Sequence, residues 1–197
     1  MAENNLDALI AKNIGNLEAS IRRIEEEIDP RINAAAWDAL KSALKNEAFF
    51  FEDGDDPDES WFAPRSWIVN EDSDPWFELS ARDGSQLDTW LACYCEPRNE
   101  REAIGIQWYY NNLYVRDYKA ILETHKDDLK NIEAAGFRRD GNDIYLPIEF
   151  DQNAIAKGFA EGDLRDAMAP ISRAVAALGE IMQSFQNLRD AMVAKAG

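Results

Sequence analysis

Apolar residues recur at heptad spacing in the first thirty residues of the chain. They follow one another at intervals of 4, 4, 3, 4, 3 and 4 residues and are named here the N-terminal seam: Leu6, Ile10, Ile14, Leu17, Ile21, Ile24 and Ile28. This spacing predicts an amphipathic helix that packs through one face. Asp29-Pro30 is predicted to end the helix, because the residue before a proline is disfavoured in the α region. Pro30 then opens a second helix, so residues 1–48 are predicted to form a helical hairpin.

A second heptad pattern lies near the other end of the chain. Its intervals are 4, 3, 4, 3, 4 and 3, and its members form the C-terminal seam: Leu164, Met168, Ile171, Val175, Leu178, Met182 and Phe185. Asp163 is predicted as the N-cap of this helix, and Pro170 is predicted to kink or restart it. Residues 151–197 are therefore predicted to be helical. We expect one long helix that packs on the N-terminal helix or on a second copy.

The middle of the chain changes from helical to strand-like periodicity. Four short segments are rich in aromatic and β-branched residues, namely SWIVN, WFELSA, QLDTWLACYC and AIGIQWYY. Short turn-forming links separate them, which predicts a four-stranded antiparallel meander within residues 49–112. Residues 113–150 are predicted to hold a helix from 116 to 135 and a small hairpin that turns at Asp140-Gly141-Asn142. The fold class predicted is α+β, as a single domain over residues 1–197.

Aromatic residues stand next to one another in these strand segments. Trp76-Phe77 and Trp108-Tyr109-Tyr110 cannot all point inward, because side chains alternate across a sheet. About half of these rings are expected in the core. The others are left for the second face of the sheet or for a partner.

The charge of the chain is strongly negative and unevenly distributed. With 38 acidic and 21 basic residues the net charge is −17, which disfavours nucleic acids and anionic membranes and favours basic partners. Residues 49–83 alone hold eleven acidic and two basic residues, a net −9. The two cysteines offer no disulfide framework, and no signal peptide or membrane span is apparent. We therefore expect a soluble, cytoplasmic protein with no cofactor.

The densest acidic stretch is FFFEDGDDPDESWF, residues 49–62. Aromatic residues at both ends can anchor it in a core, whereas its carboxylates cannot be buried unpaired. We name its six acidic residues the acidic loop: Glu52, Asp53, Asp55, Asp56, Asp58 and Glu59. A second acidic patch follows at Glu71, Asp72 and Asp74. Three interpretations compete, namely a solvated loop, a metal site and a surface that binds a basic partner.

Motifs for catalysis or metal binding find little support. An EF-hand register started at Asp53 places prolines at ligand positions five and twelve, and one started at Asn70 places proline at the glycine position and alanine at the glutamate position. Cys93 and Cys95 with the single His125 are too few for zinc, and the cysteines are predicted to face the core. Phosphate-binding glycine motifs and a nucleophile elbow are absent from the sequence. His125 shares an apolar helical row and is predicted to be a packed, hydrogen-bonded residue.

One enzymatic alternative is a metal-dependent hydrolase that uses Glu78, Asp88 and Glu96. Nucleases with carboxylate-held metals also need a lysine near the metal, and no lysine occurs between Lys45 and Lys119. The chain is therefore predicted not to be an enzyme, and no metal ligands are assigned.

The leading prediction is an acidic, non-enzymatic protein-binding module. Its carboxylates would replace phosphates and bind a basic protein surface, as in an inhibitor that blocks a nucleic-acid-binding enzyme. In size and charge the chain resembles charge-mimicking inhibitors from phages and mobile elements, which block restriction or CRISPR enzymes. The resemblance rests on no motif. The alternative is a structural or assembly protein that acts through its heptad helices, including as a homodimer.

Overall fold

Helices lie towards both ends of the chain, and the strands lie between them together with further helices. The computed structural model describes residues 2–45, 49–52, 60–69, 73–81, 89–95 and 103–196. The α-helices are α1 (Ala2–Arg23), α2 (Asp29–Leu44), α3 (Trp90–Cys95), α4 (Val115–Thr124), α5 (Lys126–Ala134), α6 (Gln152–Glu161), α7 (Ala169–Glu180) and α8 (Met182–Ala196). The strands are β1 (Phe49–Glu52), β2 (Trp61–Pro64), β3 (Trp76–Ala81), β4 (Ile104–Tyr109), β5 (Arg138–Asp140) and β6 (Asp143–Pro147). The α+β class is confirmed.

The sheet has six antiparallel strands in the order β1-β2-β3-β4-β6-β5. The predicted antiparallel meander of four strands within residues 49–112 is confirmed as β1-β2-β3-β4, but two of these strands are not the predicted segments and the sheet extends to six strands. The aromatic ends of the acidic loop are themselves strands, since Phe51 of β1 pairs with Phe62 of β2. The small hairpin of β5 and β6 also joins the sheet, because Ile106 of β4 pairs with Leu146 of β6.

Two of the four predicted strands have other structures. The SWIVN segment begins with a 3₁₀ turn at Arg65–Trp67, and WLACYC is the helix α3. The carboxylate of Asp29 accepts the backbone N–H groups of Trp90 and Leu91 at 2.9 and 2.8 Å, so it caps the start of α3. A tertiary hydrogen-bond partner thus outweighs the strand propensity of these residues. Cys93 is buried and Cys95 is half-buried, and no disulfide joins them.

The predicted helical hairpin over residues 1–48 was wrong. Helix α1 runs into a π-helical turn at Ile24–Ile28 and then directly into α2, with helical backbone angles at Ile28 and Asp29. The Asp29 N–H donates to the Ile24 carbonyl, five residues back, so the π turn adjusts the hydrogen-bond register just before Pro30. Pro30 lies in the first turn of α2, where proline is tolerated. The axis therefore continues, and the chain does not fold back.

The predicted helix of residues 116–135 is divided into α4 and α5 at His125, whose backbone leaves the helical region at φ −107° and ψ 41°. The His125 side chain is half-buried, and its Nδ1 lies 3.0 Å from the Ile121 carbonyl oxygen. The prediction of a packed, hydrogen-bonded histidine is confirmed.

The C-terminal segment is also broken into shorter helices. Helix α7 restarts with Pro170 in its first turn, as predicted. Asp163 is not the N-cap of a long helix: its carboxylate accepts the Arg165 N–H at 3.0 Å within a turn. The segment packs through α7 on α2, rather than on the helix that carries the N-terminal seam.

The core lies between the sheet and these helices. Phe185 of α8 is fully buried, with ring centroids 5.1 Å from Phe77, 5.1 Å from Trp108 and 5.2 Å from Phe137. The sheet face that turns towards Phe185 is named the inner face, and the opposite one the outer face. The alternation predicted for the paired aromatic residues is confirmed, because Trp76 stacks on Tyr109 on the outer face.

Candidate functional site

Helix α1 is exposed along its length. All eighteen residues from Leu6 to Arg23 are exposed, and contacts to the rest of the chain are concentrated at the π turn. Six of them are large apolar residues whose exposed fractions lie between 41 and 59%: Leu6, Leu9, Ile10, Ile14, Leu17 and Ile21. A single exposed leucine is ordinary, but a continuous apolar face on a helix indicates a surface that another molecule covers.

The N-terminal seam therefore has two parts. Its last two members, Ile24 and Ile28, are half-buried where the π turn meets the body of the protein. Its first five members are exposed. The sequence correctly places these residues on one helical face. It does not reveal that the described part of the chain leaves that face uncovered.

The charge of α1 differs from that of the whole molecule. From Leu6 to Arg23 there are two acidic and three basic residues, a net +1 within a chain of net −17. Arg23 forms an exposed ion pair with Glu27 one turn later, with 3.5 Å between Arg23 Nε and Glu27 Oε2. Asn13 and Ser20 donate to carbonyl oxygens of their own helix, at Leu9 and Asn16, both at 2.8 Å. One N–H of the Asn13 amide and the Ser20 hydroxyl hydrogen therefore have acceptors within α1.

The outer face of the sheet carries a second candidate surface. The indole of Trp76 donates to Glu78 Oε1 at 2.6 Å, and the Tyr109 hydroxyl donates to Gln107 Oε1 at 2.9 Å. Gln107 Nε2 in turn donates to Ser80 Oγ at 2.9 Å. These contacts fix the orientation of both the rings and the carboxylate.

A cleft of about 230 Å³ lies at the end of this face. Its lining residues are Trp61, Ser73, Asp74, Trp76, Glu78, Asn111 and Asn112. Two indoles and two carboxylates in one cleft provide the chemistry that recognises a cationic side chain. Residue spacing alone did not predict this arrangement, because the lining comes from separate strands and loops.

The structure describes only two of the predicted acidic partner-binding residues. Glu52 is exposed at the end of β1. Asp74 accepts the backbone N–H groups of Asn111 and Asn112, both at 2.9 Å, so it also fastens the loop after β4. The remaining predicted residues lie outside the described residues: Asp53, Asp55, Asp56, Asp58, Glu59, Glu71 and Asp72.

The hydrolase alternative gains no geometric support. Within the described ranges, no three histidine, cysteine or acidic side chains are grouped so that they could hold a metal ion. Glu78 accepts a hydrogen bond from the Trp76 indole N–H, while Asp88 and Glu96 lie outside those ranges.

Two buried tyrosines lie elsewhere in the core. Burial raises the pKa of the Tyr94 and Tyr118 phenols well above its ordinary value, so both remain protonated.

Comparisons with protein-family models, curated proteins and solved structures give no match. In the part of the chain that the structure describes, no helix combines the length and the apolar character needed to span a bilayer.

Proposed function

We propose that this protein is a non-enzymatic protein-binding module whose contact surface is α1. The observation that supports this proposal is the row of large apolar side chains along eighteen consecutive exposed residues. A surface helix ordinarily buries its apolar stripe against its own domain. Here the helix extends from the π turn, so its stripe is positioned for another molecule.

The continuous backbone supports the same function. Starting a helix in water is unfavourable, and most helices in proteins gain their stability from tertiary packing. Helix α1 is extended from α2, whose inward residues Ile32, Ala36 and Leu40 are fully buried. The body of the protein thus provides the helical nucleus, and α1 presents a preformed surface. Preformed surfaces lose less conformational entropy on binding.

A matched pair of variants tests this function. Leu17→Asp places a carboxylate on the apolar face, whereas Ala19→Asp adds the same charge to the same exposed helix away from the seam. Tagged wild type and both variants are incubated with a lysate that also contains an untagged copy of the chain. A protein captured by wild type and Ala19→Asp but lost with Leu17→Asp supports the proposal. Identical capture by all three contradicts it.

A second proposal is the inhibitor that mimics the charge of a nucleic acid and binds a basic protein surface. The cleft supports it, because Asp74 and Glu78 lie beside two indoles and suit an arginine or lysine side chain. Binding of this kind weakens steeply with salt. Charge reversal at Asp55, Asp56 and Asp58 is expected to abolish it without unfolding the chain. Capture that is unaffected by salt and by these changes would exclude this role.

A further inference from the structure

We infer that the molecule that covers α1 is a second copy of this chain, paired helix to helix through the N-terminal seam. The inference rests on the proposed function, because it names the partner of the same surface. Three features of α1 support the pairing of two copies: the identity of the seam residues, the charge of the helix and the residues that flank the seam.

The seam residues fit a helix of their own kind. With Ile14 at position a, the repeat runs from Ile10 onward: positions a are Ile14, Ile21 and Ile28, and positions d are Ile10, Leu17 and Ile24. Before it, Asp7 falls at a and Leu6 at g. Isoleucine and leucine at a and d pack as knobs into the holes of an identical helix. A flat or globular partner surface does not require this 3.5-residue repeat. The repeat therefore favours a helical partner that carries the same repeat.

The charge of α1 permits two copies to meet there. Two chains of net −17 repel each other across most of their surfaces. The segment from Leu6 to Arg23 has a net charge of +1, so it is a region where identical copies can approach without a large like-charge penalty. A basic partner would be attracted to the acidic surfaces instead. The small net charge of α1 thus favours a second copy over a basic protein at this site.

The flanking residues allow close approach. Positions e and g beside the exposed part of the seam are Ala11, Asn13, Glu18 and Ser20, of which only Glu18 is charged. Asn13 and Ser20 already donate to their own helix backbone at 2.8 Å. Pairing therefore does not leave these two donors buried without an acceptor. Ile24 and Ile28 continue the seam and are half-buried at the π turn. Their contacts there fix the direction in which the exposed part of the seam faces.

Sedimentation equilibrium of the full chain tests the inference. At physiological salt, between about 1 and 200 µM, wild type is expected to sediment at twice the monomer mass of 22.4 kDa. Leu17→Asp introduces one carboxylate from each copy into the seam, and we expect self-association to weaken by on the order of 100-fold or more. Ala19→Asp is expected to associate as wild type does. Circular dichroism of both variants checks that the fold is unchanged.

A monomeric wild type at the highest concentration overturns the inference, as does a dimer that Leu17→Asp leaves intact. The two proposals can fail separately. If wild type is monomeric but captures a different protein through Leu17, only the pairing of copies is wrong. If Leu17→Asp changes binding neither to a second copy nor to another protein, the proposed function of α1 is also wrong.

Discussion

Asp29 joins three elements of the fold through one carboxylate. It lies where the π turn meets α2, it is 8% exposed, and its two oxygens accept the N–H groups of Trp90 and Leu91 at the start of α3. Asp29→Asn keeps the shape of the side chain but replaces one acceptor oxygen with an NH₂ donor. One of the two backbone N–H groups then faces a donor, and the negative charge that strengthens both bonds is lost.

The expected destabilisation follows from these two bonds. A hydrogen bond to a charged acceptor contributes roughly 1.5–3 kcal/mol, and a donor left without a partner costs a similar amount. Because the substituted side chain retains one acceptor oxygen, we expect the free energy of unfolding to fall by about 2–3 kcal/mol. For a chain of 150–250 residues each kcal/mol lowers Tm by roughly 2–4 °C, so Tm should fall by about 4–12 °C.

Urea denaturation measures this change as a lower midpoint with an unchanged slope. Asp38→Asn is the matched control, because Asp38 is exposed on the same helix and the change in charge is identical. The control is expected to stay within about 0.5 kcal/mol of wild type. If Asp29→Asn is no more destabilising than Asp38→Asn, the carboxylate does not hold α3 in place and the explanation for its helical structure is wrong.

Two further predictions concern the core and the pH dependence of stability. Phe185→Ala removes a fully buried ring that contacts three others and is expected to cost about 3–5 kcal/mol in urea denaturation, whereas Val193→Ala at an exposed site of α8 should change little. The hydrogen bonds from Arg165 lower the pKa of the Asp163 carboxyl from 3.8 to about 2, so the stability they contribute is present above pH 4 and lost as the pH falls through 2. Arg165→Gln should return the Asp163 pKa, followed by carboxyl ¹³C NMR, towards its ordinary value; a titration near 2 in that variant would show that Arg165 is not the cause.

Local patterns predicted much of this fold correctly. Period-two alternation identified β3 and β4, and the Asp140-Gly141-Asn142 turn identified the β5–β6 hairpin. The restart at Pro170 also followed from the chemistry of one residue. These features depend on near neighbours in the chain, which a sequence displays directly.

Features that depend on distant residues were predicted less well. WLACYC has the composition of a strand, yet it forms α3 because Asp29, about sixty residues earlier, supplies the acceptors for its first N–H groups. The acidic loop was expected to have anchored ends, but the pairing of Phe51 with Phe62 that makes those ends strands is also a tertiary contact. Strand propensity reflects such surroundings more than an intrinsic preference of the backbone.

The two heptad seams show most clearly what the sequence determines and what the tertiary structure determines. The sequence by itself determined that both sets of residues lie on apolar helical faces, because that depends only on spacing. Only the tertiary structure decided that Ile171 and Leu178 are fully buried against the body, whereas Ile14 and Leu17 remain 49 and 41% exposed. Burial requires a second apolar surface within reach, and that depends on where the chain goes after the helix. The π turn sends α1 away from the core, so the described residues leave its apolar face uncovered, and we propose that another molecule covers it.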